Sequence, residues 1–176
     1  MKHIAIVGPG GAGKSRLARE LGEAVGATVV HLDRLFWKPG WVPTPPAEWE
    51  AIQRRELGRE SWIADGLQEG TEYLWLDAAD TIVFLDASPL LCIWRVTRRR
   101  LDPQTGPETP ADCEPAPFYQ ALVKFLRYLW RYWRTTRAEI LADLSRRKDG
   151  QQVVVLRRDE DLRAFLAGVP RRGHAA

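Results

Sequence analysis

Residues 2–25 read KHIAIVGPGGAGKSRLARELGEAV, and this stretch decides the fold. Lys2 to Val7 is a short apolar run rich in β-branched residues that glycines bring to a stop, and Ser15 to Val25 then carries apolar residues at helical spacing. Between them Gly8-Pro9-Gly10-Gly11-Ala12-Gly13-Lys14-Ser15 fits GxxxxGK[ST], in the strand-loop-helix context which that pattern requires. Glycines let the backbone turn its N–H groups inward around an anion, and the helix N-terminus adds a favourable partial charge. Lys14 supplies a mobile cation for the β- and γ-phosphates of a nucleotide, and Ser15 a hydroxyl for Mg²⁺. A Gly-rich turn without a ligand is the alternative, and the completeness of the pattern argues against it. A bound nucleotide is therefore expected to touch Gly8, Pro9, Gly10, Gly11, Ala12, Gly13, Lys14, Ser15 and Arg16.

Outward from this loop, strands are predicted at Thr28 to Leu32, Ser61 to Ala64, Thr81 to Leu85 and Gln152 to Leu156. Helices are predicted at Ala47 to Leu57, Pro89 to Leu101, Phe118 to Arg147 (as one or two) and Glu160 to Leu166, with a helical turn at Glu72 to Leu76. Pro39 to Pro46 reads as loop. Asp102 to Pro117, Pro-rich and acidic, interrupts two strong helical patterns as a cover or excursion. Strands that alternate with helices predict a parallel sheet, because parallel neighbours need crossover connections. The expected fold class is α/β: a P-loop fold with a five-stranded parallel sheet, helices on both faces and a lid-like excursion. One domain spans 1–169, and 170–176 form a tail.

A chain of 176 residues suits one core rather than two. The formal charge of +3 is small and dispersed, so it does not imply nucleic acid by itself. Two cysteines, Cys92 in an apolar segment and Cys113 in a predicted loop, form neither a disulfide framework nor a zinc motif. No secretory signal or membrane-length apolar run is present, so a soluble cytoplasmic protein is expected.

Magnesium on a nucleotide keeps several waters and takes one or two carboxylates, which in such folds end a neighbouring strand. Asp33, Asp65 and Asp86 each follow a predicted strand, and ligands bind at that edge of an α/β sheet. Asp65 is chosen for the magnesium shell. Each aspartate also reads as a helix cap or turn former, Asp86 most of all because Ser88 and Pro89 follow it.

These residues resemble the adenylate-kinase-like small P-loop kinases: a phosphate loop near residue 10, an aspartate after strand two, Asp-Gly after strand three, then FLDASPLLCIWRVTRRR. A closer resemblance, over nearly the whole chain, is to the bacterial DNA topology modulation, or FlaR-like, proteins, carried by HLDRLFWKPGW, WIADG and LCIWRVTRRRL. The resemblance implies ATP and Mg²⁺, with Arg95 stacking on the base and Arg99 reaching the phosphates. It implies Lys14, Asp33 and Arg99 as catalytic residues, Asp33 lying at the acceptor. Two departures stand out. Leu67 and Gln68 follow Asp65-Gly66 where a Pro-Arg or an Asn and an aromatic residue is usual, and 102–117 contains no Arg or Lys.

Lys124, Arg127, Arg131 and Arg134 recur at helical intervals. They read as an exposed face first, as arginines closing on the phosphates second, with Arg134 and Arg137 the leading contributors, and as a docking surface third. Trp37, Trp41 and Trp49 form either an aromatic wall at the acceptor or the packing of a Pro-rich loop. His3 and His31 receive no role. The leading expectation is a kinase that transfers the γ-phosphoryl group of Mg·ATP to a small acceptor, with the scarcity of acceptor-side arginines favouring a hydroxyl. The alternative is a slow, nucleotide-dependent regulatory protein associated with DNA or RNA.

Overall fold

The computed structural model describes residues 1–66, 71–102, 117–147 and 150–170. The first strand, β1 (His3–Val7), alternates its side chains: Ile4 and Ile6 face one layer, Ala5 and Val7 the other, and all four are buried. It is followed by α1 (Lys14–Val25), β2 (Thr28–His31) and the short α2 (Leu32–Phe36). A two-residue pair, β3 (Trp37–Lys38) and β4 (Val42–Pro43), then leads to α3 (Pro46–Leu57), β5 (Trp62–Asp65) and α4 (Glu72–Ala78). The chain continues through β6 (Thr81–Leu85), α5 (Pro89–Leu101), α6 (Phe118–Arg131), a π-helical stretch (Tyr132–Thr136) and α7 (Arg137–Leu144), and closes with β7 (Gln152–Leu156) and α8 (Asp159–Gly168).

Five of the strands form one parallel sheet in the order β2-β5-β1-β6-β7. Two buried layers cover it. Leu17, Leu21 and Cys92 pack on the Ile4 and Ile6 face. On the Ala5 and Val7 face, Trp49, Trp62, Trp75, Tyr132 and Leu144 fill the space, and Trp75 Nε1 donates to Gln53 Oε1 at 3.1 Å. The expected fold class is the one observed.

Several local expectations need correction. Residues 39–46 are not all loop. Gly40 (φ 75°) and Trp41 (φ 62°) adopt the left-handed region and turn the chain back, so that β3 and β4 pair antiparallel. A tryptophan there costs about 1–2 kcal/mol, and its edge contact with Trp37, centroids 5.7 Å apart, helps hold it. The sequence reading also missed α2 and made α4 too short. Residues 103–116, the core of the expected excursion, lie outside the described residues, as do Cys113 and the tail from 171.

The region from 118 to 144 is a single run with a π-helical insert. Residues four apart drift about 40° around an α-helix at each step. The wider i→i+5 turn of a π segment absorbs such drift, so Tyr128, Tyr132, Thr136 and Ile140 all line one cavity.

Asp86 is not a helix cap; Ser88 takes that place, its hydroxyl accepting from the Leu91 N–H. The buried Asp86 carboxylate accepts two hydrogen bonds from Arg137, both 2.7 Å, and a longer one from Arg157 at 3.4 Å, tying α7 to the sheet. The Arg137 contact holds its pKa below the usual aspartate value although burial opposes. A carboxylate depressed in the folded state contributes stability above its unfolded pKa of about 3.9 and loses it as pH falls through the lower folded value. Arg137→Ala is expected to destabilise by about 2–3 kcal/mol at neutral pH, less than for a fully enclosed pair, because Arg137 is 30% exposed. Urea titrations should show the gap between variant and parent narrowing below pH about 4.

Candidate functional site

The phosphate loop has the shape the sequence implies. Gly11 (φ 80°) and Gly13 (φ 101°) occupy conformations that favour glycine, and a Cβ on Gly11 would stand 2.7 Å from the Cys92 carbonyl oxygen. Lys14 Nζ donates to the carbonyls of Gly8 (2.9 Å) and Pro9 (3.0 Å), folded back over the loop. Burial pushes its pKa below the ordinary lysine value, while the charges of Asp33 and Asp65 act against that shift. Lys14, Asp33 and Asp65 thus share one electrostatic environment at the carboxyl edge of the sheet.

Register explains the carboxylates. Asp65 lies between β1 and β2, opposite Ile6 on one side and His31 on the other. His31 Nδ1 meets Asp65 Oδ1 at 2.6 Å, a pairing the sequence reading missed when it gave His31 no role. Gly66 (φ 74°) brings the chain against Asp33: a Cβ there would lie 2.6 Å from Asp33 Oδ2. The structure therefore adds Asp33 to Asp65 as a second carboxylate beside the loop. No group of three metal-ligating side chains occurs among the described residues. A nucleotide-bound Mg²⁺ needs only one or two carboxylates besides phosphate and water, and the hard oxygen donors Ser15, Asp65 and Asp33 fit that requirement.

The other predicted residues separate. Arg16 is exposed, its side chain paired with Glu20 of its own helix at 2.6 Å. Arg95 donates to the Ala12 carbonyl (2.9 Å) and to Asp159 (2.6 Å), clamping the loop to α8. Arg99 is close enough to Lys14 to lower its pKa and lines a small cavity between α5 and α6 with Val96, Leu122 and Phe125.

A cavity of about 1130 Å³ opens from the loop. Gly8, Gly10 and Lys14 form its floor, and Asp33, Phe36, Trp37 and Trp49 one wall. The opposite wall comes from α6 and α7, and includes Arg127, Tyr128, Arg131 and Tyr132. The Tyr128 hydroxyl accepts from the Gly10 N–H at 3.3 Å, and Phe125 packs over Gly10, which fixes α6 against the loop. Arg127 and Arg131 are exposed, as expected of a charged face, and also line this cavity. The arginines favoured for the phosphates are engaged elsewhere: Arg134 lies over Trp130 at 4.7 Å, and Arg137 over Trp133 and on Asp86. Trp37 and Trp49 pack on Phe36 (5.0 and 5.2 Å), as the packing reading expects, and also line the cavity. No helix among the described residues is long and apolar enough to cross a membrane.

No family model matches the chain, and no curated protein matches it. Among solved structures, an unliganded sugar kinase from Janibacter sp. HTCC2649 is 16% identical, over 95% of this chain and 93% of its own, with a TM-score of 0.48. The shikimate kinase from Acinetobacter baumannii, solved with shikimate, is 16% identical over 95% of this chain and 89% of its own, with a TM-score of 0.50. The likeness to the second, together with the strand order β2-β5-β1-β6-β7, gives the chain a P-loop kinase-like α/β fold.

Proposed function

We propose that this protein is an ATP-dependent phosphotransferase that acts on a hydroxyl group of a small acceptor. The observation that carries this reading is that Lys14 of the phosphate loop and Asp33 line the same cavity, with room beyond them for a second molecule. The loop amides and Lys14 grip the β- and γ-phosphates. Ser15 and Asp65, with Asp33 close by, would hold Mg²⁺, which when bound would neutralise phosphate charge. Asp33 orients the acceptor hydroxyl and takes its proton. The acceptor oxygen bonds to the γ-phosphorus as the bond to the β,γ-bridging oxygen breaks, and ADP leaves with that electron pair.

Such catalysis is mainly positioning and charge neutralisation. With no Arg or Lys in 102–117, Arg127 and Arg131 take the neutralising part from α6, beside the loop that Tyr128 touches. The fold shared with a shikimate kinase supports the reaction class. For the rival role on DNA or RNA, Phe125 and Tyr132 pack on the loop and core, while Tyr119, Tyr128 and Trp130 stay exposed on the same helical run. Incubation with γ-labelled ATP and Mg²⁺ across sugars, nucleosides, nucleotides and amino alcohols tests the proposal. Label is expected in an acid- or alkali-stable phosphate ester of one class; release as inorganic phosphate alone, with every acceptor, would refute it.

A further inference from the structure

Glu139 and Asp143, carboxylates in the cavity wall opposite Asp33, have no task in the phosphoryl transfer just described, and charge along that wall is segregated. Arg127 and Arg131 flank Tyr128, whose hydroxyl sits on Gly10, so the cationic part adjoins the phosphate loop. Glu139 and Asp143 continue the same wall. At 1.5 Å per residue Glu139 stands roughly 12 Å beyond Arg131 along the helical run, too far to serve the same phosphate. Asp143 is tied to Arg147, which leaves Glu139 as the carboxylate to assign to a ligand.

Between the two ends the walls are aromatic. Trp49 and Tyr132 are 5% and 4% exposed, and Trp49 Nε1 and Tyr132 Oη have no hydrogen-bond partner among the described residues. With these polar atoms enclosed, the middle of the cavity offers a ligand aromatic ring surface rather than hydrogen-bonding groups. At about 1130 Å³ the cavity exceeds what a single small ligand occupies, roughly 300–1,000 Å³. An acceptor and the terminal phosphates fit together.

We infer that the acceptor is an amino alcohol with a flat or apolar body, its hydroxyl toward Asp33 and Lys14, its ring against Trp49 and Tyr132, and its protonated amine on Glu139. This rests on the kinase reading above. A cationic group at the far end complements Glu139, and an anionic one would meet two carboxylates.

Three probes share one skeleton and differ only in the distal group: 4-(aminomethyl)benzyl alcohol, 1,4-benzenedimethanol and 4-(hydroxymethyl)benzoate. Their affinities are measured calorimetrically on the full chain saturated with a Mg²⁺-bound, non-hydrolysable ATP analogue. The amine is expected to bind about tenfold more tightly than the diol, and the benzoate most weakly. Glu139 is exposed, so Glu139→Gln should fold normally. It should bring the amine within about twofold of the diol and leave nucleotide affinity unchanged, and Glu139→Asp should restore the preference. The inference is overturned if the benzoate binds as well as the amine, if the ranking survives Glu139→Gln, or if a protein that holds the nucleotide binds none of the three. Failure to hold the nucleotide would instead sink the kinase reading, and this inference with it.

Discussion

Lys14→Ala is expected to weaken Mg·ATP binding about 100-fold, the size of one charge-assisted contact of roughly 3 kcal/mol. Turnover should fall by about 10³-fold, because the same ammonium meets charge that builds up during transfer. The fold should not suffer. Burial lowers the pKa of Lys14, so the folded state holds its proton less readily than the unfolded chain. For a lysine the depressed value means that keeping the charge at neutral pH works against folding, and that stability is recovered only as pH rises through the folded pKa. Removal of the side chain should therefore leave Tm unchanged or slightly raised, although two hydrogen bonds to Gly8 and Pro9 disappear. Calorimetry and a thermal melt on the same sample check both halves. Unaltered nucleotide uptake by the variant would remove the phosphate loop from the mechanism.

Asp33→Asn is expected to act on a different constant. The amide keeps the shape of the carboxylate against Gly66 but cannot take a proton, so kcat should fall about 10²–10⁴-fold. Nucleotide affinity should stay within a few-fold, since the loop amides and Lys14 remain in place. Steady-state kinetics with the acceptor found by the labelling screen would separate the two constants. A loss confined to KM would make Asp33 a binding group and direct the search for a base to Asp65, whose charge also acts on Lys14.

The phosphate loop was legible because its chemistry is local: Gly11 and Gly13 need left-handed backbone, and Lys14 follows them directly. The five strands were legible for a similar reason, as in β1, whose neighbouring residues face opposite layers. His31 was not. Its meaning comes from a register that sets β2 beside β5 and puts it opposite Asp65, thirty-four positions away. Arg127 and Arg131 are exposed, as the stripe implied, but their place at a cavity was not legible because cations at helical spacing look the same whether they face open water or a cavity mouth. Arg137, less well aligned with that stripe, is turned onto Asp86.

By itself the sequence determined an α/β chain with a glycine-rich strand-to-helix turn near residue 10, since backbone conformation and side-chain alternation depend on adjacent residues. Tertiary structure alone decided what stands opposite that turn. Gly10 and Tyr128 are 118 positions apart, and only the closure of the fold joins them. The cavity wall they fix, with cations near the loop and Glu139 beyond, exists because a π-helical insert keeps one face of the helical run directed inward.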